Sequence, residues 1–155
     1  MFDLFEGFPN IHPMIVHFPI VLLLLALVTQ IATLLVFKSN LKALNTVTLF
    51  FLITGTIGSL IAIQTAPHIS GDANVEAFEV FERHRKFAIF TFWTALGVSA
   101  LHFIFIKWYY RKWNNFIITL LLIILSSFVF ITSHNGAKLV YIHDIGPKGN
   151  GVVSE

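Results

Sequence analysis

The chain has 155 residues, 56% hydrophobic and 12% charged, with 10 Lys and Arg against 8 Asp and Glu and a mean hydropathy of +0.80. Soluble domains run nearer about 50% apolar and about 25% charged, so the composition excludes one and specifies an integral membrane protein, while a net charge of +2 is no nucleic-acid footprint. The lack of cysteine excludes disulfides, thiolate metal ligands and the C-x-x-C-H attachment of a c-type haem, which makes histidine the favoured ligand of any cofactor.

Four stretches carry no Asp, Glu, Lys or Arg: 7–37, 43–71, 87–106 and 113–137. Each reaches the about 20 residues needed to span a hydrocarbon core about 30 Å thick. The expected fold is all-α, an up-down bundle of four transmembrane helices in one domain, 1–155, with helices over about 13–37, 44–66, 75–110 and 114–143. Residues 1–12 contain Asp3 and Glu6 but no Lys or Arg, and lead into an apolar run too long for a signal-peptide core. They are therefore expected to remain in the mature chain.

The first helix opens on N-I-H-P-M-I-V-H-F-P-I, residues 10–20. Pro13 sits in its first turn, where a missing N–H costs nothing, and Pro19 lies inside it, removing one backbone bond and favouring a bend. Ser39 and Asn40 make the next turn. The second helix carries a seam of small residues, Gly55, Gly58, Ala62 and Ala66, which admits either a closely packed helix or a flat cofactor. Pro67 stops it, and residues 68–74 supply turn and cap signals.

In the third helix Ala77, Phe81, His84, Ala88, Thr91 and Ala95 follow the four-and-three spacing of one face, so His84 is expected to point inward. Trp108 to Tyr110 and Trp113 resemble an interfacial aromatic belt. On the fourth helix Ser133, Gly136, Val140 and His143 share a face before Gly146, Pro147 and Gly149 end it. The residues after 149 are expected to form a loose tail.

Lys and Arg divide evenly between the two ends of such a bundle: Lys38, Lys42, Lys107, Arg111 and Lys112 at one, Arg83, Arg85, Lys86, Lys138 and Lys148 at the other. The first helix breaks the tie, with no basic residue before it and Lys38 and Lys42 after it. This places both termini outside. Counted from Lys38, Lys107 and Asn115, His17, His84 and His134 lie about 21, 23 and 19 residues up, within ~6 Å of one level at about 1.5 Å per residue. His12 and His143 form a second layer above them.

A polar side chain facing lipid costs roughly 2.5 kcal/mol or more at the bilayer centre, so histidines in such segments tend to face the interior and to serve a function. His17 and His84 lie on the first and third helices, diagonal in a four-helix ring. That is the arrangement needed to ligate a haem iron from both sides, with Ala88 and the small seam leaving room for the macrocycle. Each imidazole then needs an acceptor for its other N–H, for which Ser127, Ser133, Thr91 and carbonyls near Pro19 are candidates. Any single histidine also admits a bland reading as a polar residue satisfied near the interface. His68, in a loop, is read that way, as is His102, which lies deep with no histidine at its level, so no second haem is expected on the inner side.

The H-P-x-x-V-H-F-P-I stretch at 12–20, His84 with Ala88 four residues later, and G-x-x-L-V-Y-x-H-x-x-G at 136–146 together resemble the bacterial family of unknown function numbered 2231. The likeness covers nearly the whole chain, though Ala137 replaces a second glycine common before the L-V-Y stretch. Similar domains occur beside or joined to cytochrome-type and Rieske-type modules, and the resemblance therefore implies a redox setting.

The expected function is that of a bacterial inner-membrane electron-transfer protein holding b-type haem near the outer face. Its axial pair would be His17 and His84. His12, His134 and His143, with Ala88 and Gly136, would supply further contacts, a second haem or a proton path. Expected partners are the lipid bilayer, quinol and an outer cytochrome or Rieske-type protein, within a larger complex; no nucleic acid is expected. The role is that of an electron carrier or redox subunit more than a stand-alone enzyme. Two alternatives stand beside it: copper or zinc handling by three or more of the histidines, and a cofactor-free structural subunit.

Overall fold

The computed structural model describes residues 11–35, 41–71, 73–108, 111–146 and 152–153. Its elements in chain order are α1 (His12–Ile15), α2 (His17–Leu35), α3 (Leu41–Gln64), β1 (His68–Ile69), α4 (Val75–Lys107), α5 (Lys112–Tyr141) and β2 (Val152–Val153). Among the described residues four helices are long and apolar enough to cross a membrane, α1 and α2 together making the first, His12–Leu35. The expected boundaries hold to within a few residues. The expected turn at Ser39 and Asn40, Tyr109, Tyr110 and residues 147–151 lie outside the described residues.

The first span breaks at Val16, between α1 and α2. Pro19 cannot donate to the carbonyl of Ile15, so the ladder is interrupted where the sequence anticipates a bend. Asn74 caps α4, its Oδ1 accepting from the Ala77 N–H at 2.7 Å. At the other end of the bundle Lys107 lies over the Trp108 ring, 4.9 Å from its centroid, while Trp108 and Trp113 stay exposed, as an interfacial belt requires.

The helices form a ring in which α2 and α4 each pack against α3 and α5, so α2 and α4 stand diagonally, as the up-down reading requires. Residue 11 and residue 146 lie at one end of the bundle, here the terminal end; the last residues of α2 and α4, Leu35 and Lys107, lie at the far end. Between them Leu23, Leu52, Ala95, Ile118, Leu122 and Leu125 make a central apolar core. Lipid tails are as apolar as these side chains, so the core holds by close packing rather than by exclusion from water.

The seam on α3 shows how close that packing is. A Cβ on Gly55 would stand 2.7 Å from Leu23 Cδ2, and one on Gly58 would stand 3.3 Å from Pro19 Cδ. Of the two readings of the seam, then, these glycines serve the approach of α2. At the terminal end a smaller cluster, Ala77, Leu139 and Ile145, ties the start of α4 to the end of α5. Asp144 takes a left-handed conformation, φ 53°, as the chain leaves that helix. The tail is also less loose than its composition suggests, since Val152 and Val153 pair antiparallel with Ile69 and His68.

Candidate functional site at the terminal end of the bundle

Helical phase decides which histidines enter the bundle. The buried residues of α2, Pro19, Leu23, Ala26, Gln30 and Thr33, define one stripe. Seven residues back from Pro19, two helical turns, the same stripe meets His12, which is half-buried. His17 belongs instead to the face of Val21, Val28 and Leu35, which are 53%, 60% and 80% exposed. Its own Nδ1–H donates locally to the Pro13 carbonyl at 2.6 Å.

The same rule sorts the fourth span. Ile118, Leu122, Leu125 and Val129 face inward, and Gly136 and His143 continue on the inner side, half-buried. His134 is exposed, in phase with Leu120, Ile124 and Ile131. On α4 the whole face from Ala77 through Phe81, His84, Ala88, Thr91 and Ala95 is buried or half-buried, so His84 points inward as expected. His68 is exposed, in β1.

His84 is held by a backbone group. Its Nδ1 lies 2.9 Å from the Thr132 carbonyl on α5. A carbonyl only accepts, so Nδ1 carries the proton and the lone pair of the neutral ring sits on Nε2. Gly136 makes the contact possible: it stands one turn above Thr132, and a Cβ there would be 3.1 Å from His84 Cε1 and 3.3 Å from Nδ1. The missing side chain is what lets the imidazole reach the carbonyl beneath it. Thr91 and Thr132 close the floor of the site, their hydroxyls 3.5 Å apart.

His12 completes the pair from the diagonal span. Its Nδ1 lies 3.4 Å from Thr65 Oγ1, and the Thr65 hydroxyl donates to the carbonyls of Ile61 and Ala62, so the histidine is the donor. The ring also meets the Ala62 backbone on α3. At this end of the bundle His12 and His84 are therefore the histidines that turn inward from the diagonal spans. The structure leaves His17 and His134 on the outer faces of their helices, and gives His143 a half-buried place on the Gly136 face.

Two members of this site, Thr132 and Thr65, were not singled out by the sequence. Thr132 acts through its carbonyl, which has no residue signature; the glycine four positions later was the available signal. Ser127, a candidate acceptor, is exposed and bonds to the Ile123 carbonyl. Among the described residues no three His, Asp or Glu side chains gather into a metal site.

The family model described as a predicted membrane protein of unknown function, number 2231, matches residues 8–149. The chain belongs to this family. No curated protein and no solved structure in the comparisons matches it. In this family member the first motif divides in two: its leading histidine enters the bundle, whereas the histidine of H-F-P faces outward.

Imidazole nitrogens in this setting can ligate a metal group. Two imidazoles come from diagonal helices, one of them with its tautomer set so that Nε2, the outermost ring atom, carries the lone pair.

Proposed function

We propose that this chain is a membrane electron-transfer protein that binds a b-type haem at the terminal end of its bundle, with His84 and His12 as the axial ligands. The observation that carries this reading is the hydrogen bond from His84 Nδ1 to the Thr132 carbonyl, which orients Nε2 for a metal, together with the inward, half-buried place of His12 on the diagonal span. The pair expected from depth alone, His17 and His84, gives way to His12 and His84 because depth does not fix helical phase. The haem would supply a one-electron iron couple. The chain supplies two oriented imidazoles, a half-buried setting between apolar helices, and acceptors at Thr132 and Thr65 that keep the rings in place. Charge distribution favours the terminal end as the outer face of a bacterial inner membrane, where quinol and an outer cytochrome or Rieske-type protein are the natural partners.

A second reading has its own support. A Cβ at Gly136 would stand 3.1 Å from the His84 ring, so that side of the imidazole has no room for a further group. A single copper ion between two imidazoles needs less room than a porphyrin. The absorption spectrum of the purified protein separates the readings. A Soret band that moves on reduction is expected for haem. Copper at one equivalent without that band supports the second reading, and neither haem nor copper overturns both in favour of a cofactor-free subunit.

A further inference from the structure

The far half of the bundle contains a second polar layer, independent of the terminal site. Gln30 of α2, Asn45 of α3 and His102 of α4 are each at most 2% exposed. Every one is oriented by a backbone carbonyl. Gln30 Nε2 donates to the Asn115 carbonyl at 3.2 Å and to Thr33 Oγ1. Asn45 Nδ2 donates to the Leu41 carbonyl at 2.8 Å, and His102 Nε2 donates to the Asn45 carbonyl at 3.2 Å. Since carbonyls only accept, neither amide can be flipped without losing its bond, and the neutral His102 ring must carry its proton on Nε2.

What remains is one-sided. Gln30 Oε1, Asn45 Oδ1 and His102 Nδ1 have no hydrogen-bond partner among the described residues, and all three are acceptors. Ser126 Oγ is also without a partner, but a hydroxyl can rotate to donate. No rotation, flip or tautomer change relieves the other three without breaking a bond. Buried polar groups are almost always paired, by protein or by ordered water. The layer therefore requires a ligand that donates hydrogen bonds.

The chemistry narrows that ligand. Hard cations prefer oxygen ligands and, when buried, compensating carboxylates, whereas this layer offers two neutral amide oxygens and an imidazole nitrogen. A haem iron is excluded, because the lone pair is on Nδ1, crowded by the residue's own main chain. Small uncharged donors fit each of the three acceptors. Asn114, Asn115 and Thr119 at the start of α5 are also buried, the Asn115 carbonyl accepting from Gln30, and the Thr48 hydroxyl donates to Thr29 Oγ1 across α2 and α3 at 2.9 Å.

We infer that the far half of the bundle is a hydrated site in which water donates to His102 Nδ1, Asn45 Oδ1 and Gln30 Oε1, placing His102 in proton exchange with the far aqueous phase. His102 then has a function of its own beyond the structural role its isolation suggested.

The test is nuclear magnetic resonance on the full chain in lipid bilayers with nitrogen-15 histidine. The expected result is a His102 Nδ1 resonance typical of a hydrogen-bonded acceptor, with exchange transfer from water to the ring. Gln30→Met should reduce that transfer at least twofold with the helical signal unchanged. If Gln30→Met does not fold, the wild-type measurement decides alone. An Nδ1 resonance of a free lone pair without water transfer overturns the site, as does a saturable shift on adding sodium, potassium or ammonium salts, which would make the ligand a cation.

Discussion

The two ends of the bundle use the same device with opposite hands. At each, an inward-facing imidazole of α4 donates to a backbone carbonyl of a neighbouring helix: half-buried His84 through Nδ1 to Thr132 of α5, buried His102 through Nε2 to Asn45 of α3. The choice of nitrogen sets what the ring can still do. His84 keeps Nε2, the outermost ring atom, which suits a bulky metal group. His102 keeps Nδ1, next to its own main chain, which suits a small donor. One residue type on one helix is thus specialised twice, by the position of a neighbour's carbonyl.

The sharpest way to break this comparison is to remove each ring in turn. His84→Ala should abolish cofactor binding, seen as complete loss of the Soret band or of bound copper, while the protein still inserts as helices. His102→Ala should leave the cofactor in place. Loss of the cofactor only in His102→Ala would reverse the assignment of the two ends.

Most of the fold is legible in the sequence because a membrane span must be long, apolar and uncharged, and those properties are local. Residues 75–107 illustrate this: their four-and-three spacing places His84 inward, as observed, and of the turn and cap signals in 68–74 it is Asn74 that caps the helix. The candidate site was legible only in part. Counting residues along a helix gives depth, and depth brings His17, His84 and His134 to one level. Phase, however, is a separate coordinate. His17 is five residues from His12, half a turn out of step, and only the stripe through Pro19 and Leu23 reveals which one enters. Thr132 was invisible for another reason, since any residue presents the same carbonyl.

A smaller and more discriminating effect is expected from the first motif. If His12 is the second axial ligand, His12→Ala should convert a six-coordinate low-spin haem spectrum to a five-coordinate high-spin one, with haem retained by His84. His17→Ala should leave the spectrum unchanged, because that ring bonds to Pro13 on the outer face. The reverse pattern would restore the pair expected from depth.

Gly136→Ala probes the terminal end without removing a ligand. The added Cβ would press on His84 at 3.1 Å, a separation that only a shift of the ring relieves. The shift lengthens the bond to Thr132 and loosens the orientation of Nε2. Cofactor affinity is expected to fall by about 10- to 100-fold, the usual consequence of disturbing a group that orients a metal ligand. Gly97→Ala is the matched control, since a Cβ there meets nothing within 4 Å. Equal losses in the two variants would mean that helix stability, not the His84 contact, governs binding.

The mildest change tests whether the terminal end stands on its own supports. Asn74 Oδ1 satisfies the Ala77 N–H at the start of α4, and Ala77 packs in the small cluster with Leu139 and Ile145 that joins α4 to α5. Asn74→Ala removes the cap at a cost of about 1 kcal/mol. That cost should appear locally, as about fivefold faster amide exchange at Ala77 and Phe78, since about 1 kcal/mol at room temperature is a factor of about five in an opening equilibrium. His84 lies two turns further into the helix and is anchored separately by Thr132, so cofactor affinity should change by less than about twofold. The far end, separated by the central apolar core, should show no change in exchange at all. Faster exchange spreading to Asn45 or His102 would show that the two ends open as one unit, and their specialisation would then rest on a shared scaffold rather than on separate local anchors.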